Sequence, residues 1–220
     1  MDYTVIRSRR RTIAVEITRN GEILVRAPLR LADREVKAFV ERHRGWVDSK
    51  LARARQQPVQ AAPRRFREGE MFLFLGMRCR LRFVAGGEYL RLENGEFLLG
   101  ADLASRAGDL FRTWYRARAR EVFEDRVAHF APRMGLSCRA VRITDARGRW
   151  GSCSPSGTLN IAWRLVMAPP GVVDYVIVHE LAHLVEMNHS RRFWDCVAGV
   201  LPDHRARRAW LRENEPSLDG

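Results

Sequence analysis

Apolar positions recur along the chain with different periods, and each change of period marks an expected element. Residues 3–28 alternate apolar and polar in TVIRSRRRTIAVEIT and again in EILVRAP, with Asn20-Gly21 between, which predicts two strands joined by a hairpin turn. From Ala32 to about Gln57 the spacing of Val36, Phe39, Val40, Trp46, Val47 and Leu51 predicts an amphipathic helix, with Asp33 near its start. The following QQPVQAAPRR carries two prolines and no apolar period, and reads as a linker. MFLFLGMRCRLRFVAGGEYLRLENGEFLLG predicts three or four short strands turning at Gly86-Gly87 and Asn94-Gly95. Leu81, Phe83 and Val84 face inward there, and Arg78, Arg80 and Arg82 share the opposite face. Residues 103–134 predict a long basic helix whose core stripe includes Phe111, Trp114, Tyr115, Phe123, Val127 and Phe130, ended by Pro132 and Gly135. CRAVRIT then reads as a strand, and DARGRWGSCSPSGTLNIAW as two short strands around a Gly- and Ser-rich turn. Near the end, Ser190 can cap a helix from Arg191 to about Val200, and Pro202 can open a last one reaching Glu213.

One stretch departs from every amphipathic pattern. Val172–His189, VVDYVIVHELAHLVEMNH, is apolar all round up to Val185 except for Asp174, His179, Glu180 and His183, so it predicts a buried helix. Two imidazoles and a carboxylate buried without partners would cost several kcal/mol, and a metal ion satisfies them together. His179 and His183, four apart, share a helix face and can aim at one point. Glu180, rotated by about 100°, lies beside that point, where a general base for water belongs. Two residues compete as third ligand. Glu186 would lie about one turn further along the same helix, where three stacked side chains converge poorly. His189 follows Met187-Asn188, where the chain can turn back, and is favoured. Three histidines with a fourth position open form a catalytic rather than a structural zinc site.

Mixed strands and helices over 220 residues give an α+β class. They suggest a β-rich basic N-terminal part with one helix over 1–100 and a metallohydrolase core over 101–220. Charge is uneven: residues 1–120 hold 26 basic and 14 acidic side chains, the remainder 13 and 12. The N-terminal part is therefore either a surface for nucleic acid or another anion or a merely solvated basic face, and 37 of the 39 basic residues are arginine, a skew that base composition can also produce. Cys79, Cys138, Cys153 and Cys196 form no Cys-x-x-Cys pair, which suits reduced thiols. With no apolar run of membrane-spanning length and no secretory signal, the expectation is a cytoplasmic protein without a membrane partner.

HELAHLVEMNHSRRFW, preceded by RWGSCSPSGTLNIAWRLVMAPPGVVDYVIV, closely resembles the YgjP-like metal-dependent hydrolases, relatives of the SprT and WSS/WLM zinc metallopeptidases. The resemblance covers roughly residues 145–195. It implies a zincin-like catalytic core, an active-site helix packed on a small mixed sheet, with one zinc ion held by His179, His183 and His189 and with Glu180 as catalytic carboxylate. It also implies that the strand Thr158–Trp163 forms the sheet edge beside that helix, where an extended substrate adds as a further strand. The turn Arg149–Cys153 is characteristic of the family, and either shapes the cleft rim or locks the hairpin. Trp194 reads as a packing residue.

The leading functional reading is a zinc-dependent metallopeptidase-like hydrolase acting on peptides or proteins. The resemblance also carries a nucleoside-triphosphate (UTP) pyrophosphatase alternative on the same metal site. A third reading is a basic nucleic-acid-associated protein, or a protease of DNA-bound proteins. Metal-activated water attacks a peptide carbonyl and a phosphoryl group alike, so the motif alone does not choose.

Overall fold

The computed structural model describes residues 1–17, 22–56 and 64–218. The expected Asn20-Gly21 turn and residues 57–63 of the expected linker lie outside them. The chain forms two compact units, Met1–Gln60 and Ala61–Gly220.

In the first unit, strands β1 (Thr4–Ser8), β2 (Ala14–Ile17) and β3 (Ile23–Pro28) form a mixed sheet in the order β1-β3-β2. The alternation expected to give one strand before the turn gives two, and they flank β3: β2 pairs with it antiparallel, β1 parallel. Ile23, Val25 and Ala27 are buried at every second position of β3, and Val25 and Ala27 pack with Val36 and Val40, one turn apart on helix α1 (Asp33–Arg42). The Glu35 carboxylate caps α1 by accepting the Ala32 N–H at 3.1 Å. The helix expected to run on to Gln57 breaks at His43, whose imidazole Nδ1 meets the Phe39 carbonyl at 2.8 Å, and resumes as α2 (Arg44–Gln56).

The second unit begins with a four-stranded sheet of β4 (Met71–Phe74), β5 (Met77–Val84), β6 (Arg91–Glu93) and β7 (Glu96–Gly100), ordered β4-β5-β7-β6. Cys79 and Leu81 of β5 are buried, while Arg78, Arg80 and Arg82 stand exposed on the other face as their alternation requires. Asn94 and Gly95 both take positive φ, which turns β6 into β7 as a tight hairpin. These strands share one apolar core with helix α3 (Ala107–Arg133), whose Phe111, Tyr115, Ala119, Phe123 and Val127 recur at four-residue spacing. That shared core joins β4–β7 to the second unit, since Phe72, Leu81 and Phe97 pack in the same cluster as Phe111, Tyr115 and Phe123 of α3.

A second sheet, β8 (Ala140–Thr144), β9 (Gly151–Cys153) and β10 (Thr158–Ala162), is mixed: β10 runs parallel to β8 and antiparallel to β9. Helix α4 (Pro170–Ala182) packs against β9 and α3, with Pro170 in its first turn, where a missing N–H costs nothing. Nine of its thirteen residues are buried, so it is the core helix its composition predicts. Its Asp174 pairs with Arg126 of α3 at 2.6 Å. Helices α5 (Arg191–Val200) and α6 (His204–Asn214) close the unit, α5 capped by Ser190, whose hydroxyl accepts the Phe193 N–H at 3.4 Å. Among the described residues no helix is long and apolar enough to cross a membrane.

Candidate metal centre

Helix α4 brings His179 and Glu180 through its last turn and stops at Ala182, so His183 is the first residue beyond it. The apolar pattern through Val185 overstates the helix, and Glu186 is not on it. A tight final turn follows instead, in which the His183 imidazole Nδ1 meets the Glu186 main-chain oxygen at 3.0 Å. That contact sets the ring and leaves Nε2 of His183 for another partner. The chain then reverses through Met187-Asn188 and carries His189 back to within 3.0 Å of His179, Nε2 to Nε2. Ligand atoms of His179, His183 and His189 all lie within 4.8 Å of one another. The Glu186 carboxylate stays outside this group and accepts the Asn188 N–H.

The donor set suits a metal ion. Two ligands on a tetrahedral zinc ion with bonds of about 2.0–2.1 Å lie roughly 3.3 Å apart, close to the His179–His189 separation. Burial, then the neighbouring His183, His189 and Arg208, push the His179 imidazole down to about 3, and burial lowers His189 as well. Both rings therefore carry free lone pairs at neutral pH, as metal ligands must. His179 Nδ1 and Glu180 Oε2 are buried without a hydrogen-bond partner among the described residues.

Phe193, which the sequence pattern did not single out, is the common backing of the three histidines. Fully buried in α5, its ring centre lies 4.8, 4.6 and 4.7 Å from those of His179, His183 and His189. Trp194 stacks on His189 at 5.7 Å and on His204 at 5.6 Å, so it packs as expected, but against the site itself. Phe193→Ala is expected to destabilise the fold by about 3–5 kcal/mol. Denaturant unfolding of the metal-free protein measures that loss, and a value under about 1 kcal/mol would mean that the rings do not depend on Phe193.

Glu180 is 5% exposed. Burial pushes its carboxyl up to about 7 against the pull of the Arg149 guanidinium. The strand beside it is β9. The expectation that Thr158–Trp163 forms the sheet edge is overturned: β10 is the central strand, enclosed by β8 on one side and β9 on the other. The edge belongs to the Arg149–Cys153 stretch. Trp150 accepts from the Ala162 N–H and Ser154 donates to Thr158, both at 2.9 Å, so alternate residues of β9 bond inward to β10. Gly151 and Cys153 turn their main-chain groups to the outer side, where no backbone partner stands among the described residues. A Cβ on Gly151 would lie 2.5 Å from Glu180 Oε1, so only glycine lets the strand pass this close to the carboxylate. Gly151→Ala is expected to cost about 1–3 kcal/mol by overpacking, read as a lowered thermal midpoint. An unchanged midpoint would show that the carboxylate yields without resistance.

A cleft of about 390 Å³ opens on this side of α4. His179, Glu180 and Tyr175 line it from α4, Arg149 and Gly151 from the edge strand and its approach, and Arg208 and Arg212 from α6.

A buried helix that presents His-Glu-x-x-His beside the open edge of a small mixed sheet, with a third histidine folded back onto it, is the arrangement of a metallopeptidase-type hydrolase. The model of the YgjP-like metallopeptidase domain matches residues 11–214, and the chain belongs to that family, whose members imply a bound metal. Among solved structures, the metallopeptidase zymogen of Pyrococcus abyssi abylysin is 28% identical over 42% of this chain and 91% of its own, with a TM-score of 0.38. No curated protein matches the sequence.

Proposed function

We propose that this metallopeptidase-family protein is a zinc-dependent peptidase in which His179, His183 and His189 hold one zinc ion and Glu180 handles protons. The observation that carries this reading is the convergence of three imidazoles next to a buried carboxylate whose Oε2 has no hydrogen-bond partner among the described residues. A bound zinc ion would supply Lewis-acid chemistry, polarising a carbonyl and making water more acidic. Glu180, held near neutrality by burial, can accept a proton from water and release it to a leaving amine. His183 is oriented by the Glu186 main-chain oxygen, and His189 by the face of Trp194. The unpaired main-chain groups of Gly151 and Cys153 would align an extended chain along β9, next to Glu180, with little demand on its sequence. Four free cysteines suit a reducing, cytoplasmic setting.

Metal analysis of the purified protein, together with incubation of its zinc form with an unstructured protein and with UTP, tests this reading. One zinc per chain with peptide fragments is expected, and chelation should abolish cleavage. Pyrophosphate without fragments would reject the peptidase reading in favour of the nucleotide hydrolase.

A further inference from the structure

We propose that the cleft between β9 and α6 is a carboxylate-recognition subsite, selecting peptides that carry an acidic side chain or a free C-terminus beside the cleaved bond. The proposal rests on the peptidase reading above. Its starting point is the disposition of arginines. Most arginines buried or half-buried around α4 are committed within the protein: Arg126 to Asp174 at 2.6 Å, Arg164 to Asp145 at 2.6 Å, and Arg207 to Asp203 at 2.9 Å. The three that line the cleft are exposed and reach solvent. Arg149 and Arg208 have no hydrogen bond or ion pair among the described residues, and Arg212 has only a 3.9 Å contact to its neighbour Glu213.

Arg208 is nevertheless held in place. Its guanidinium carbon lies 5.1 Å from the centre of the Trp194 ring, the same indole that stacks on His189. An arginine fixed through its face keeps its N–H edge for a planar anion, and the fork of a guanidinium matches a carboxylate with two parallel hydrogen bonds. Arg212 follows one turn later on the same face of α6. His179 and Glu180 line the same cleft as Arg149, Arg208 and Arg212, so the cationic wall adjoins the catalytic groups. Against three guanidiniums, the cleft holds one other carboxylate besides Glu180, that of Glu215.

The surroundings favour a peptide carboxylate over a polyphosphate. Polyphosphates are commonly cradled by the free N–H groups of a helix N-terminus, whereas the cleft residues of α4, Tyr175, Val176, His179 and Glu180, fall beyond its first turn. Those of α6 likewise begin at Arg208. The main-chain groups that do adjoin the cleft are those of Gly151 on the open edge of β9, which pair with an extended polypeptide.

The test uses the full-length chain as Glu180→Gln, which binds without turnover, in zinc-loaded and metal-free forms. The probes are peptides identical except for Glu or Gln at one interior position, each with a free or an amidated C-terminus, and inorganic triphosphate. Acid-bearing peptides are expected to bind about 10–100-fold more tightly than their amide partners, the range of a charge-assisted hydrogen bond. The preference should persist without metal and fall below about threefold when Arg208→Gln or Arg149→Gln is added. A preference that follows the interior residue assigns the subsite to acidic side chains, and one that follows the terminus assigns it to the C-terminal carboxylate. Equal binding of acid and amide peptides overturns the proposal, as does Arg208-dependent binding of triphosphate with no preference among peptides. Cleavage by the unsubstituted enzyme with no acid preference would remove the subsite and leave the peptidase reading. Acid-selective binding with no cleavage of any peptide would do the reverse.

Discussion

Glu180→Gln is expected to retain its metal and to lose turnover by about 10²–10⁴-fold, the usual contribution of a positioned general base. Glutamine matches the volume of glutamate in the narrow space under Gly151, where a Cβ would already clash, so the protein should fold around it. What it lacks is the capacity to take a proton from water. Metal content by elemental analysis and cleavage rate on the same sample separate the two effects. Undiminished turnover would remove Glu180 from the chemistry.

A stability signature accompanies this substitution in the metal-free protein. Because burial raises the Glu180 carboxyl from 4.5 to about 7, the folded state binds more protons than the unfolded one across that interval. Stability contributed through this group is therefore greatest below pH 4.5 and declines as pH rises toward 7, by a total on the order of 3 kcal/mol. His179, depressed to about 3, works the other way, adding stability as pH rises to its ordinary value of 6.5. The difference between the unfolding curves of the original protein and Glu180→Gln cancels the histidine contribution. That difference should grow between pH 4.5 and 7 in favour of glutamine, and a flat one would place the carboxyl in contact with water.

His189→Ala is the second expected large effect. If His189 holds zinc as proposed, its loss should weaken zinc binding by more than the roughly 10–100-fold that follows loss of a ligand's orienting partner, and turnover should fall with it. Nε2 of His179 faces Nε2 of His189 at 3.0 Å, so the substitution empties one corner of the cluster. Glu186→Ala should leave zinc affinity within about threefold, because only the main-chain oxygen of Glu186 meets His183 and that atom survives the substitution. Zinc titration of both variants against a competing chelator decides between them. Normal affinity in His189→Ala combined with loss in Glu186→Ala would reverse the ligand assignment.

The histidine cluster was legible in the sequence because its members lie within eleven residues of one another, and helical spacing plus one turn suffices to bring them together. The end of α4 was not legible. Leu184 and Val185 continue the apolar run, yet their N–H groups bond three residues back, to Leu181 and Ala182, and this tightened turn, closed by the Glu186 N–H on the Ala182 carbonyl, lies beyond the end of α4. Phe193 was missed for a different reason: a phenylalanine four residues past His189 looks like any core residue until α5 folds beneath all three imidazoles. Strand order was beyond reach too, since the parallel pairing that makes β10 central joins Ala140–Thr144 to Thr158–Ala162 across the whole intervening hairpin. That β4–β7 share one core with α3 is not visible in the sequence, because Phe72, Leu81 and Phe97 meet Phe111 and Tyr115 only once the sheet and the helix have folded together.

The brevity of β9 has its own consequence. An uncovered strand border is ordinarily a hazard, since it can recruit other molecules into growing fibrous stacks. With three residues, of which two turn their amide groups outward, this border can register a passing chain but offers too little length to anchor a second folded sheet. Exposure that would be dangerous in a long ribbon is here confined to a stub of three residues.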